Sequence, residues 1–170
     1  MSRRQTLIGG GYELLNGTTF LPNPDYWTAV LYQRVMGRTA LAVTAAAPSS
    51  SIRSYAMCAN PGGDGGGVVA AGDVAMLLLN FDANATVLVT VNVTGTSRLL
   101  WQLRSGAKAT VLSKSVSLLG TGLLGLTAGG QLPELPPVAA KWRKGGLLSM
   151  PPQSIAFVIF QGSRAPACIH

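Results

Sequence analysis

The fold is first indicated near the start of the chain, by Arg4-Gln5-Thr6-Leu7-Ile8-Gly9-Gly10-Gly11-Tyr12. Its apolar residues, followed by three glycines, predict a strand that runs into a glycine-rich loop. A helix is predicted next, and one strand, one loop and one helix cannot bury their own faces. We therefore expect residues 1–37 to be the last βα unit of a larger barrel or sheet whose earlier strands lie outside this chain.

The predicted helix has clear start and stop signals. Pro22-Asn23-Pro24-Asp25 supplies a rigid start with an acidic residue near the first turn. Gly37 is placed to end the helix. Four large apolar residues recur between these signals at helical spacing, namely Trp27, Val30, Leu31 and Val35.

Beyond Gly37 the sequence changes to short apolar runs separated by Gly, Pro, Asn and Asp, which indicates an all-β domain over residues 38–170. The clearest hairpin joins residues 74–81 to residues 86–93 through Asp82-Ala83-Asn84. In its second strand the valines at 87, 89, 91 and 93 alternate onto one face. Further strands are predicted at 53–58, 97–104, 109–118 and 154–161, enough for two packed antiparallel sheets, a β-sandwich.

The composition is that of a globular protein: 170 residues, 48% hydrophobic and 11% charged. A net charge of +7 favours anionic partners, which leaves acidic glycans and peripheral membrane association open. Nucleic acid is not predicted, because only Lys141-Trp142-Arg143-Lys144 clusters and no aromatic ladder accompanies it. The uncharged segment 115–133 holds five glycines, so strands and turns are predicted there rather than a membrane span.

The cysteines and the single histidine, His170, predict neither a zinc site nor a cofactor site. No Ser-His-Asp or Cys-His arrangement can be built from one imidazole at the end of the chain. Sequons at Asn16, Asn84 and Asn92 favour a secretory route, where the two cysteines could pair. On the residues alone, Cys58 and Cys168 are either a disulfide or two buried free thiols.

No acid qualifies as catalytic, since none forms an obvious pair; the six are Glu13, Asp25, Asp64, Asp73, Asp82 and Glu134. The glycine loop offers a different chemistry, because glycine lets backbone N–H groups approach an anion closely. On the residues alone, the alternative to anion binding is a tight turn on which Tyr12 packs as a lid.

The sequence resembles the heparanase-like proteins, especially those of the plant type. The resemblance is dense over residues 4–37, where the opening stretch is followed by Pro22-Asn23-Pro24-Asp25-Tyr26-Trp27 and Val35-Met36-Gly37. It continues more loosely through residues 54–60, 111–118 and 157–169, which brings nearly the whole chain into the comparison.

The resemblance implies a β-glucuronidase of glycoside hydrolase family seventy-nine, acting on glucuronides or acidic glycans. Its fold would be a (β/α)8 barrel followed by a C-terminal β-sandwich, so this chain would be mainly β, with the last βα unit of a truncated barrel in front. The family's two catalytic glutamates would precede residue 1. A secreted or lysosome-like location is implied as well.

The resemblance also assigns residues. Cys58 and Cys168 would form the sandwich disulfide, and Gly10 and Tyr12 would hold the substrate's uronate carboxylate. Relatives commonly carry asparagine where this chain has Gly11, which removes a side-chain hydrogen bond and makes the loop more flexible. The alternative function is a non-catalytic β-sandwich that binds acidic glycans.

A truncated barrel has one structural consequence. Residues 1–37 would have lost the neighbours that cover their apolar side chains, so this segment is expected to be mobile or sticky. The side chains expected to be uncovered are Leu7, Ile8, Trp27 and Leu31.

Overall fold

The fold is mainly β, as the sequence predicts. A computed structural model describes residues 7–10, 13–45, 50–63, 69–93, 97–105, 116–118, 122–139 and 147–169. Within these ranges the elements are, in chain order, α1 (Pro24–Val35), β1 (Met36–Leu41), β2 (Ile52–Ala59), β3 (Val74–Asn80), β4 (Val87–Thr90), β5 (Ser97–Ser105), β6 (Val116–Leu118), β7 (Gly122–Leu123), β8 (Val138–Ala139), β9 (Leu147–Met150), β10 (Ser154–Gln161) and a 3-10 helix (Pro166–Cys168).

The strands form two antiparallel sheets. The large sheet has the order β1-β2-β3-β10-β5-β6-β7, and β8 also pairs with β5. β4 and β9 pair with each other in a small sheet. Side chains of β4 and β9 share a buried cluster with the large sheet, so the predicted packing of two antiparallel sheets is confirmed.

β10 lies between β3 and β5 and is buried on both faces. Phe157 and Ile159 belong to the core cluster on the α1 side, whereas Val158 and Phe160 belong to the cluster beneath β4 and β9. Successive side chains of a strand point to opposite faces, so a strand covered on both sides is apolar at consecutive positions. This burial explains the unbroken apolar run in the sequence of β10.

The helix α1 covers one face of the large sheet. Its residues Trp27 and Leu31 share a core cluster with β3, β5 and β10, and they are 2% and 0% exposed. The expectation that these two side chains would be uncovered is wrong, because the sheet itself supplies the cover. The expectation is confirmed for Leu7 and Ile8, which are 55% and 40% exposed.

The helix ends just before Gly37, but not for the predicted reason. It stops at Val35, and Met36 already has extended backbone angles, so the chain passes directly into β1. Gly37 lies inside β1, where a Cβ atom would stand 2.5 Å from the carbonyl oxygen of Cys58. The glycine is required by close approach of β1 to β2, not by the helix end. The proposed division into residues 1–37 and 38–170 stays a prediction, and its boundary falls within β1.

The predicted hairpin has the right strands and the wrong pairing. β3 pairs with β2 and β10, whereas β4 pairs with β9, so the chain crosses from one sheet to the other between them. The predicted turn is present, since Asp82 Oδ1 accepts hydrogen bonds from the N–H groups of Asn84 and Ala85. The alternation in β4 is confirmed: Val87 and Val89 are partly buried, and Leu88 is 64% exposed.

Three other predicted strands are confirmed, with 53–58, 97–104 and 154–161 matching β2, β5 and β10. Of the strand predicted at 109–118, residues 116–118 form β6, and the rest lies outside the described residues. The strand predicted before the glycine loop is not seen at Leu7 and Ile8, which lie in bends. In the part of the chain that the structure describes, no helix is long and apolar enough to cross a membrane.

A disulfide joins Cys58 of β2 to Cys168 of the 3-10 helix, with Cα atoms 5.3 Å apart. It closes a long loop, and loop-closure entropy gives a stabilisation of about 4 to 5 kcal/mol. Backbone hydrogen bonds secure the same segment, since the Gly72 N–H donates to the Cys168 carbonyl at 2.8 Å. The alternative of two free thiols is therefore wrong.

Asn80, at the end of β3, connects the two sheets. Its side chain is 2% exposed, and its Nδ2 donates to the carbonyl oxygens of Met150, the last residue of β9, and of Pro151, the next residue, at 3.0 and 2.8 Å. Its Oδ1 accepts from the Asp82 N–H at 3.0 Å. One buried amide thus secures both the crossing after β3 and the end of β9.

We expect Asn80→Ala to lower the free energy of unfolding by about 1 to 3 kcal/mol, because buried carbonyl groups lose their donor. Urea denaturation measures the change. The matched control is Asn84→Ala, an exposed asparagine in the adjoining turn, which we expect to stay within about 0.5 kcal/mol of the parent. Equal effects of the two substitutions would contradict the role given to Asn80.

The turn after β3 should also respond to pH. Backbone hydrogen bonds from Asn84 and then Ala85 hold the pKa of Asp82 below its ordinary value of 3.8. A lowered folded-state pKa stabilises the fold above about pH 3.8, and that stabilisation is lost as the pH falls through the lowered pKa.

We therefore expect the parent to melt at a higher temperature than Asp82→Ala at about pH 6, with the difference shrinking towards about pH 2. Thermal unfolding followed by circular dichroism measures it. Asn84→Ala is the control, since it removes no titrating group. A difference between parent and Asp82→Ala that does not change with pH would refute the prediction.

Candidate functional site

The glycine loop holds a carboxylate of its own chain. The N–H groups of Gly9 and Gly10 donate to Oε2 of Glu13 at 2.7 and 3.3 Å, and the Gly17 N–H donates to Oε1 at 2.7 Å. Gly9 has φ +87, a conformation that favours glycine. Three backbone donors thus converge on one carboxylate, in the manner of an anion-binding loop.

Glycine is also needed on the far side of the carboxylate. A Cβ atom at Gly17 would lie 3.1 Å from Oε2 of Glu13, closer than most such contacts. A larger residue would have to displace the carboxylate or the loop. The Glu13 carboxylate is therefore bordered by Gly9 and Gly10 on one side and Gly17 on the other.

Backbone hydrogen bonds fix this loop to the start of α1. The Leu15 N–H donates to the Leu7 carbonyl at 2.9 Å, and the Asn23 N–H donates to the Leu14 carbonyl at 2.8 Å. The side chain of Asn23, the residue before α1, donates to the Glu13 carbonyl at 2.8 Å. Since α1 is packed on the sheet, the core sets the position of the loop.

An exposed apolar surface borders the loop, formed by Leu7, Ile8, Phe20 and Leu21. Phe20 stands out, because it is 59% exposed and has φ +57, a left-handed conformation that is strained for a bulky residue. Its N–H donates to the Asn16 carbonyl at 2.8 Å, which places it in the turn that follows Gly17.

The structure places only part of the predicted substrate site. Gly10 lies in the loop, with its N–H directed at Glu13. Tyr12 and Gly11 lie outside the described residues. Sequence reasoning missed the role of Glu13, which it considered only as one of six acids that form no obvious catalytic pair. The available signal was the spacing of glycines four before, three before and four after Glu13.

Two other acids that the structure describes, Asp73 and Asp82, hold backbone amides of the fold. Asp73 is 3% exposed and accepts from the N–H groups of Ala70 and Gly162 at 2.9 and 2.7 Å. Asp82 holds its turn, and Asp25 lies in the first turn of α1. Among the described residues, no group of three or more His, Cys, Asp or Glu could hold a metal ion. Asp64 lies outside those residues.

The three sequons differ in accessibility. Asn84 and Asn92 are exposed, as glycosylation requires. Asn16 is partly buried, and its Oδ1 accepts from the N–H groups of Thr18 and Thr19 at 3.0 and 2.9 Å. Glycan occupancy at all three positions stays a prediction.

The chain is similar over almost its whole length to several known proteins, although no protein-family model matches it. Heparanase-like protein 3 of Arabidopsis thaliana is 30% identical over 97% of this chain and 33% of its own length. Baicalin-beta-D-glucuronidase of Scutellaria baicalensis is 34% identical over 94% of this chain and 28% of its own length. Inactive heparanase-2 of Homo sapiens is 31% identical over 97% of this chain and 29% of its own length.

The chain thus spans a third or less of the length of these relatives, and the part that it matches is their C-terminal part. The resemblance identified from the glycine loop, the helix start and the cysteine-bearing segments is confirmed. Over nearly its whole length the chain is similar to the C-terminal part of the heparanase-like proteins.

Proposed function

We propose that this chain is the C-terminal, substrate-contacting part of a β-glucuronidase that hydrolyses glucuronides or acidic glycans. The observation that carries the proposal is the similarity over nearly the whole chain to relatives that include a protein named as a β-D-glucuronidase. The chain would contribute a carboxylate-binding loop and the β-sandwich scaffold behind it.

The geometry of the glycine loop supports the binding role. A glucuronide differs from a glucoside by a carboxylate on the sugar, so its recognition requires donors placed for two carboxylate oxygens. The amides of Gly9, Gly10 and Gly17 already hold such a group in Glu13. Hydrogen bonds to an ionised acceptor are about twice as strong as neutral ones.

The hydrolytic groups are proposed to come from outside this chain. A retaining glycosidase needs two carboxyl groups about 5 to 5.5 Å apart across the scissile bond. Among the described acids, Glu13, Asp73 and Asp82 each use their oxygens to hold backbone amides. We assign no catalytic residue here, and we propose that residues 1–37 complete a barrel that carries the glutamate pair.

A secreted or lysosome-like location is part of the proposal. The Cys58–Cys168 disulfide supports it, because such bonds persist in oxidising compartments. The exposed sequons at Asn84 and Asn92 agree with that route. Peripheral membrane association stays a proposal that rests on the net charge of +7.

A second function is favoured by one observation. The relative named as an inactive heparanase is 31% identical to this chain, close to the value for relatives named as enzymes. Similarity in this region therefore does not separate active from inactive proteins. The alternative is a non-catalytic β-sandwich that binds acidic glycans through its positive charge.

Hydrolysis of a chromogenic β-D-glucuronide tests the first function. We expect no turnover by the 170-residue chain and measurable turnover by a longer protein that includes the upstream coding sequence. A chromogenic β-D-glucoside is the matched control substrate, because it lacks the carboxylate, and it should be cleaved more slowly. Turnover by the 170-residue chain alone would overturn the assignment of the hydrolytic groups to another part of the protein.

Binding to immobilised heparin separates the two functions. Retention that weakens with salt, combined with no hydrolysis by the longer protein, would favour the glycan-binding alternative, since salt screens charge attraction. Hydrolysis by the longer protein would favour the glucuronidase.

A further inference from the structure

We propose that Glu13 is an internal ligand of the glycine loop, and that an external uronate carboxylate binds there only when the Glu13 carboxylate leaves. The inference rests on the proposed function, which supplies the uronate as the ligand class. Under this inference Glu13 is autoinhibitory, because its carboxylate occupies the backbone amides that would bind the uronate.

The contacts describe a filled carboxylate site. Both oxygens of Glu13 are engaged, Oε2 by Gly9 and Gly10 and Oε1 by Gly17, and two of the three distances are 2.7 Å. That distance is typical of hydrogen bonds to an ionised acceptor. The donors are backbone groups, so they cannot turn to serve a second carboxylate while Glu13 is bound.

The Glu13 carboxylate can move while the backbone donors that bind it stay in place. Glu13 reaches the amides through a rotatable side chain, whereas the loop backbone is held by hydrogen bonds from Leu15 to Leu7 and from Asn23 to Leu14. The Asn23 side chain also binds the Glu13 carbonyl, which fixes the backbone of Glu13 but not its carboxylate. Rotation of one side chain would therefore free three backbone donors while these backbone hydrogen bonds remain.

The strength of the competition between the Glu13 carboxylate and a free uronate can be estimated. A group tethered a few residues away acts at an effective concentration in the millimolar range, so a free acid of weak affinity cannot displace it at lower concentrations. Removal of the Glu13 carboxylate should therefore increase the apparent affinity for a free uronate. The absence of a Cβ at Gly17 leaves the vacated space to the ligand, since a Cβ there would lie 3.1 Å from the present oxygen.

The test is a titration of the 170-residue chain with sodium D-glucuronate, followed through the amide resonances of Gly9, Gly10 and Gly17 in nitrogen-15 NMR spectra. We expect the half-saturating concentration to fall by about tenfold or more in Glu13→Ala relative to the parent. Methyl β-D-glucoside, which lacks the carboxylate, should not shift these resonances in either protein.

Two further variants keep the test falsifiable. Glu134→Ala removes an exposed acid and changes the net charge by the same amount, so it should bind glucuronate like the parent. Glu13→Gln keeps an amide oxygen that can hold the loop in place if the alanine variant unfolds, and it should bind with intermediate affinity, because a neutral acceptor competes more weakly.

Equal half-saturation in the parent and both Glu13 variants would overturn the inference. An equal gain in Glu134→Ala would also overturn it, since the effect would then be one of net charge. Shifts in none of the proteins would overturn it too, while hydrolysis by the longer protein could still support the proposed function. Conversely, a gain in Glu13→Ala without hydrolysis by the longer protein would support the inference and contradict the proposed function.

Discussion

The central strand β10 is buried on both faces, so the fold has to cover it on two sides. Phe157 and Ile159 need cover on one side of the large sheet, and Val158 and Phe160 need it on the other. The helix α1 supplies the first cover, and the small sheet of β4 and β9 supplies the second. The chain must therefore pass from the large sheet to the small sheet after β3. At this crossing the buried Asn80 side chain donates hydrogen bonds to the backbone carbonyl groups of Met150 and Pro151.

The sequence predicted elements well where a single strand or helix carries its own signal. β2, β5, β10 and α1 were found from apolar runs, turn residues and helical spacing. Pairing was not predictable in the same way. β3 and β4 are joined by a short turn, which is typical of a hairpin, yet β3 is buried on both faces and has β2 and β10 as partners. Which neighbour a strand takes depends on the whole sheet.

The candidate site, like the strand pairing, could be predicted only in part from the sequence. Three consecutive glycines indicated an anion-binding loop, and Gly10 does direct its N–H at a carboxylate. The carboxylate is that of Glu13, and the spacing of glycines around Glu13 does not by itself predict that the side chain folds back onto the preceding loop. The contact depends on the backbone hydrogen bond between Leu15 and Leu7, which closes the loop.

The core fixes the position of the glycine loop. Asn23 connects Glu13 to the start of α1, and Trp27 and Leu31 anchor α1 on the sheet. A β-sandwich that holds the last helix of a barrel in place would thereby hold the loop before that helix in place as well. The relatives that share this region include one named as a glucuronidase and one named as inactive. Under the proposed function this is expected, because a region that supplies the scaffold and the carboxylate contacts, but not the hydrolytic pair, would be kept whether or not the pair is functional.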